Sequence, residues 1–164
     1  MSSDEIQIDD LRYYNSGANV GNLEIDNGVS VTSDGDCIKI TTSTSGEKYV
    51  RIPVNLTGNW EFECELAKIG EVNPLTFVLS SPSFWGAFTP SGCIVNLADS
   101  TQSSSVSIDV GQTLKCTYIN GVFNVYGNGN LIRGKSASIN NAKIGWYTNQ
   151  NRIQYIKNIK LREL

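Results

Sequence analysis

The chain has 164 residues, 13 Lys+Arg against 16 Asp+Glu, no His and a formal net charge of −3 at pH 7. Such a balance supplies no concentrated cationic field, so no nucleic acid partner is expected; the lack of His removes the usual zinc ligand and every His-dependent triad. At 40% hydrophobic, yet with 18 Ser, 17 Asn and 11 Thr, residues 1–164 read as a single polar-surfaced folded domain and not as disorder.

Met1-Ser2-Ser3-Asp4-Glu5 has neither a basic segment nor an apolar run, so no signal peptide is expected there. No apolar stretch approaches the ~18 residues that span a bilayer, and no membrane insertion is expected. Ile (16), Val (12) and Thr (11) together far outnumber Ala (6), a composition that favours strands over helices. Along the chain the first alternating segments are Val29-Ser30-Val31 and Ile38-Lys39-Ile40. Asp34-Gly35 between them is a turn signal, predicted to pair Val31 with Ile38 and Val29 with Ile40. Thr41–Ser45 follows as a loop or edge strand. Trp60-Glu61-Phe62-Glu63-Cys64-Glu65-Leu66 is the longest alternation. Ser100–Ser107 is again a loop or edge strand. Leu114-Lys115-Cys116-Thr117-Tyr118 and Phe123-Asn124-Val125-Tyr126 flank Asn120-Gly121. That turn pairs Tyr118 with Phe123 and Cys116 with Val125 on one face, and Thr117 with Asn124 and Lys115 with Tyr126 on the other. Each hairpin has one apolar and one polar face, and turn-forming clusters recur about every 8–12 residues. Two such sheets must stack on their apolar faces. The predicted fold is all-β, a two-sheet antiparallel β-sandwich.

The cysteines fit this picture as free thiols. Cys64, Cys93 and Cys116 share the apolar phase of their strands, Cys37 is out of phase with Ile38 and Ile40, and no pair has C-x-x-C spacing. Asp4, Glu5, Asp9, Asp10, Glu24, Asp26, Asp34 and Asp36 gather half of the acids at the beginning of the chain. Arg133, Lys135, Lys143, Arg152, Lys157, Lys160 and Arg162 gather bases at its end. First and last strands lying side by side would attract; two separately solvated ends are the other reading.

From Leu114 to Leu164 the order is strand, Asn-Gly turn, strand, loop, Ala142-Lys143-Ile144-Gly145-Trp146-Tyr147, polar turn, then Ile153-Gln154-Tyr155-Ile156-Lys157-Asn158-Ile159-Lys160-Leu161. This resembles the end of concanavalin A-like (laminin-G/pentraxin-like) jelly-roll domains, with Asn158 serving strand-end geometry. The resemblance implies a jelly roll, and that fold carries lectins, carbohydrate-binding modules, glycanases and virion domains alike. The polar, glycine-rich, His-free composition is similar to that of domains on phage and archaeal-virus tail proteins.

If the chain were a glycanase, its residues would be Glu61, Glu63 and Glu65, three carboxylates on one face of one strand. The resemblance to laminarinase-like enzymes, which carry Glu-x-Asp-x-Glu, would make Glu61 the nucleophile, Glu63 the helper and Glu65 the acid/base. Here the middle residue is Glu, and no Trp-rich segment follows. A solvated strand face is the favoured reading. Asp34-Gly35-Asp36 and Asp99 offer hard oxygen ligands for calcium, but the first already forms a turn, so neither metal nor cofactor is expected. Sugar recognition needs exposed rings with amide and hydroxyl donors beside them. The candidates are Trp85, between Pro82 and Pro90; Tyr126, opposite Lys115 on a polar hairpin face; and Trp146, which leans towards the core, beside Asn149 in an amide-rich turn. The expectation is a non-catalytic binding or structural module, on a virion or cell surface, acting as a tail or receptor-binding component that contacts host glycan and that can form a homo-oligomer. A carbohydrate-binding module of a larger surface protein and a glycanase using Glu61 and Glu65 are the alternatives.

Overall fold

The computed structural model describes residues 23–70, 74–98, 100–150 and 152–164, and residues 5–6 by backbone alone. Among these there are strands and no helix, arranged in two antiparallel sheets. Sheet I runs in the order β13 (Asn130–Ser136), β12 (Val122–Gly127), β11 (Thr113–Ile119), β6 (Trp60–Ile69), β15 (Ile153–Glu163), β4 (Cys37–Thr42) and β3 (Val29–Asp34). The short β1 (Glu5–Ile6) also pairs with β15, through Glu5↔Arg162 and Ile6↔Leu161, so first and last strands do lie side by side. Sheet II runs β10 (Thr101–Ser104), β9 (Gly92–Asn96), β8 (Phe84–Thr89), β7 (Leu75–Leu79), β14 (Ile144–Thr148), β5 (Lys48–Arg51) and β2 (Glu24–Ile25). This is the expected sandwich. Ser100–Ser107 supplies β10, an edge strand, and the acid–base asymmetry is used in part by the pairs Lys143–Glu24 and Lys157–Asp36.

Period-two alternation puts the core between the sheets. On β6, Trp60, Phe62, Cys64 and Leu66 are fully buried while Glu61, Glu63 and Glu65 are half-buried on the outer face. The Phe123 ring of sheet I lies 5.2 Å from Phe84 and 6.1 Å from Phe77 of sheet II, and 6.0 Å from Trp60 beside it. Phe62 and Trp146 make the same bridge between sheets at 5.9 Å. Tilted rings at these spacings add to the area they bury, and they lock the two layers in one relative position.

The Asn120-Gly121 hairpin has the predicted register, Tyr118↔Phe123, Cys116↔Val125, Thr117↔Asn124 and Lys115↔Tyr126. Both turn residues have positive φ (51° and 81°), the pattern of a type I′ turn. A second turn of this kind, Asn128-Gly129 (47° and 81°), joins β12 to β13. The first hairpin needs a correction. Val31 pairs with Ile40 and Val29 with Thr42, because the central turn residues are Gly35-Asp36, closed by Asp34↔Cys37. Gly35 alone takes positive φ (64°), so the glycine occupies the first central position. The slip of two leaves every side chain on its predicted face. Asn158 is also corrected: it stands inside β15 at an irregularity between Lys157 and Lys160, with φ 52°, and not at a strand end.

All four cysteines are free and buried. Cys64, Cys93 and Cys116 belong to the shared core. The Cys37 thiol donates to the Asp34 carbonyl at 3.0 Å across the turn. Burial pushes the Cys64 thiol up to about 12 and Cys116 well above its ordinary value, so both stay protonated and unreactive at neutral pH.

Candidate functional site

A sandwich leaves two outer faces, and the candidate residues divide between them. On sheet I the carboxylates of β6 meet cations from both flanking strands. Lys115 on β11 reaches Glu61 Oε2 at 3.4 Å, and Arg162 on β15 donates to Glu61 Oε1 at 2.8 Å. Burial raises the Glu61 carboxyl, but the bonds and charges of Arg162 and Lys115 outweigh it and hold Glu61 below its ordinary range. Glu63 stands in register between Lys115 and Lys160. Glu65 accepts from Asn158 Nδ2 at 2.8 Å and lies 3.6 Å from Lys157, which also reaches Asp36 at 3.4 Å. A hollow of about 160 Å³ on that face is walled by Glu61, Glu63, Lys160 and Arg162. It is a ladder of opposite charges. Tyr126 sits half-buried beside it, while its cross-strand neighbour Lys115 turns to Glu61. Asp34 and Asp36 are likewise ion-paired, to Lys68 (3.2 Å) and Lys157, and Asp99 lies outside the described residues.

The outer face of sheet II is built differently. Its central strands have little polar alternation: every residue of β7 and of β14 is buried. Ala87, Val78 and Tyr147 form an apolar patch here, separate from the core between the sheets, with Trp85, Ile94 and Tyr49 packed around it half-buried. The register places these side by side. Trp85 on β8 stands between Val78 on β7 and Asn96 on β9. Tyr147 on β14 lies directly opposite Tyr49 on β5. The Trp85 ring meets Tyr147 edge-on, with centroids 5.9 Å apart at 83°. Between Val78 and Arg51 the same row carries only Gly145. A Cβ there would lie 2.0 Å from the Val50 carbonyl oxygen, so no side chain can stand at that point and the floor stays low.

A buried amide holds Tyr147 in place. Beyond Gly145 the pairing of β14 with β7 stops, and Gln154 of sheet I reaches between the two strands. Its Oε1 accepts from Thr76 N at 2.9 Å and its Nε2 donates to the Tyr147 carbonyl at 2.7 Å; the Thr76 hydroxyl also donates to that carbonyl at 2.8 Å. The amide thus satisfies backbone groups that the interrupted ladder would leave unpaired in a dry interior.

Two arginines complete the face. The Arg51 guanidinium lies 4.4 Å from the Tyr49 ring centre, and that of Arg152 lies 5.3 Å from Tyr147. The turn from β14 to β15 presents Arg152: its N–H donates to the Asn149 carbonyl at 3.0 Å, and the Thr148 hydroxyl donates to the Arg152 carbonyl at 3.2 Å. The Tyr49 hydroxyl donates to Glu47 at 2.6 Å, a bond that, with burial and the charge of Glu47, pushes the phenol up to about 12. Burial does the same for Tyr147, also to about 12. Both phenols are neutral hydroxyl groups throughout the physiological range. Past Ala87 and Ile94 the face continues into a shallow hollow of about 240 Å³ bordered by Thr89, Ser91 and Gly92.

Trp85 therefore stands on the sheet II face, Tyr126 and Lys115 on the sheet I face, and Asn149 in the turn that carries Arg152. Trp146 needs correction. It is fully buried between the sheets, because β14 turns it inward and its neighbour Tyr147 outward, so no ligand can touch its ring. Tyr49, Arg51, Tyr147 and Arg152 were not among the expected site residues. The run Tyr49-Val50-Arg51, with Val50 in core phase, is the signal that points to the first two.

No family model and no curated protein matches the sequence. The fold is shared with solved structures at low identity. The carbohydrate-binding module CBM66 from Bacillus subtilis is similar at a TM-score of 0.60 and 11% identity, covering 87% of this chain and 96% of that one. The carbohydrate recognition domain of Emp46p, in its metal-free form, is similar at 0.67 and 9% identity, covering 98% and 96%. The alginate lyase AlgAT5 of polysaccharide lyase family 7 is similar at 0.52 and 16% identity, covering 84% and 80%. The chain has the concanavalin A-like, lectin-type jelly-roll fold.

Proposed function

We propose that this protein is a non-catalytic glycan-binding module that holds its ligand on the outer face of sheet II. The observation that carries the reading is the pair of half-buried rings, Trp85 and Tyr49, set around buried Tyr147 beside the bare point at Gly145. Aromatic faces stack on the C–H faces of pyranose rings while hydroxyl and amide groups alongside bond the sugar hydroxyls. The Tyr147 and Tyr49 hydroxyls, Glu47 and Asn96 are the groups at hand. That two proteins of similar fold are a carbohydrate-binding module and a carbohydrate recognition domain supports the choice of ligand class. The ion-paired state of Glu61 and Glu65 supports a structural role for β6 in place of a catalytic one.

In its finer form the proposal places the module on a virion tail or cell surface, where it meets host glycan; the composition supports this. A glycan array probed with the whole chain tests the reading. Binding that drops at least tenfold in Trp85→Ala, with an unchanged melting temperature, is the expected result. Binding retained in Trp85→Ala but lost in Glu61→Gln, or release of reducing sugar that Glu61→Gln abolishes, moves the site to sheet I and overturns it.

A further inference from the structure

Resting on that reading, we infer that the glycan held on sheet II is acidic, its sugar carboxylates received by Arg51 and Arg152. Lys68, Lys115, Lys143, Lys157 and Arg162 each have a carboxylate within 3.6 Å. Among the described residues Arg51 and Arg152 have none, and neither do Lys39, Lys48 and Lys160; what sets the two arginines apart is that both lie against the tyrosines of the sheet II apolar patch. For Arg51 this holds although a carboxylate stands across the strand pair and is used elsewhere.

Glu24 is the cross-strand partner of Arg51, yet it pairs with Lys143 at 2.6 Å. Asp26 accepts from the Tyr49 backbone N–H at 2.9 Å, and Glu47 accepts from the Tyr49 hydroxyl at 2.6 Å. Arg51 Nε is buried and makes no hydrogen bond. Each guanidinium is instead laid against a tyrosine ring, and Arg152 in addition bonds the Tyr147 side chain. A planar guanidinium held in place with no carboxylate of its own fits a ligand carboxylate through its terminal N–H groups.

The two tyrosines are opposite each other, and the arginines flank them from the two ends: Arg51 from the Gly145 row, Arg152 from the turn after Thr148. A chain of sugars lying over the rings would therefore meet a cation at each end of the pair. Neutral glycan would leave both forks unanswered.

The test uses the whole chain and oligosaccharides of galacturonate, alginate and hyaluronate, each beside its own carboxyl-reduced form, by titration calorimetry at two salt concentrations. The expected result is at least tenfold tighter binding of one or more acidic forms over the reduced counterpart. Arg51→Gln should bring the two forms within threefold of each other, and Lys160→Gln on sheet I should leave the preference intact. Glu47→Gln should tighten the acidic form, because it removes the one carboxylate bonded at the rings. Equal binding of acidic and reduced forms, with loss of both in Trp85→Ala, overturns this inference and leaves the glycan reading standing. No binding of any form overturns both.

Discussion

On sheet I, Glu61 meets Lys115 and Arg162, Glu65 meets Lys157 and Asn158, and Tyr155 lies under Lys39 and Lys68. On sheet II, Arg51 and Arg152 lie against tyrosines with no ion pair to a carboxylate among the described residues, and Trp85, Tyr49 and Ile94 stay half-buried beside them. Both faces come from strands that alternate the same way. On the first most charges answer one another in water, each pair contributing a few tenths to about 1 kcal/mol. The second is left with apolar area and two guanidinium groups that no carboxylate of the described residues answers, which is the arrangement of a surface that meets something else. Alternation decides which side chains face outward, and the partners available there decide whether a face is a surface or a site.

The comparison can be broken first at the residue pair where the faces part. Trp146→Ala removes a ring that bridges the sheets and should cost about 3–5 kcal/mol of unfolding free energy in denaturant. A loss under about 1 kcal/mol would mean that Trp146 is outside and the assignment of β14 is inverted. Next, Gln154→Leu deprives Thr76 and Tyr147 of their buried partner and should cost about 1–3 kcal/mol. It should also weaken glycan binding, since Tyr147 would lose its support; unaltered stability and binding would remove Gln154 from the account. Third, Trp85→Ala should lower affinity at least tenfold, about 1.4 kcal/mol, while leaving the denaturation midpoint nearly unchanged.

The smallest effect belongs to sheet I. Glu61→Gln should cost no more than about 1 kcal/mol near neutral pH. The folded carboxyl is held below its ordinary value of 4.5, so its contribution is complete above that pH and disappears as pH falls through the lowered folded value. The stability difference between parent and Glu61→Gln should therefore shrink in acid and in high salt. A difference that grows on acidification would reverse the sign assigned here.

Much of this is legible in the sequence. The Asn120-Gly121 hairpin was fixed twice over, by turn residues that accept positive φ and by apolar parity on both strands, and its register followed. Asp34-Gly35-Asp36 allowed two placements of the turn that keep the same parity, so parity could not choose between them. The difficulty was greatest in sheet II. Leu75-Thr76-Phe77-Val78-Leu79 and Ile144-Gly145-Trp146-Tyr147-Thr148 are buried on both sides, and a strand covered on both sides shows no hydrophobic alternation to read. Trp146 and Tyr147 are both large enough to fill a core, so composition did not say which turned inward. The site itself draws on Tyr49, Arg51, Trp85, Tyr147 and Arg152, which only the order β8-β7-β14-β5 brings together.

The three tryptophans offer the most direct test, because Trp60 and Trp146 are fully buried and Trp85 alone stands on the outer face of sheet II. In a proton–nitrogen NMR spectrum of the whole chain, titration with a glycan found on the array should shift one indole N–H resonance, the one missing from Trp85→Phe. Shifts confined to backbone amides around Glu61 and Glu65, with the Trp85 indole unmoved, would contradict the account.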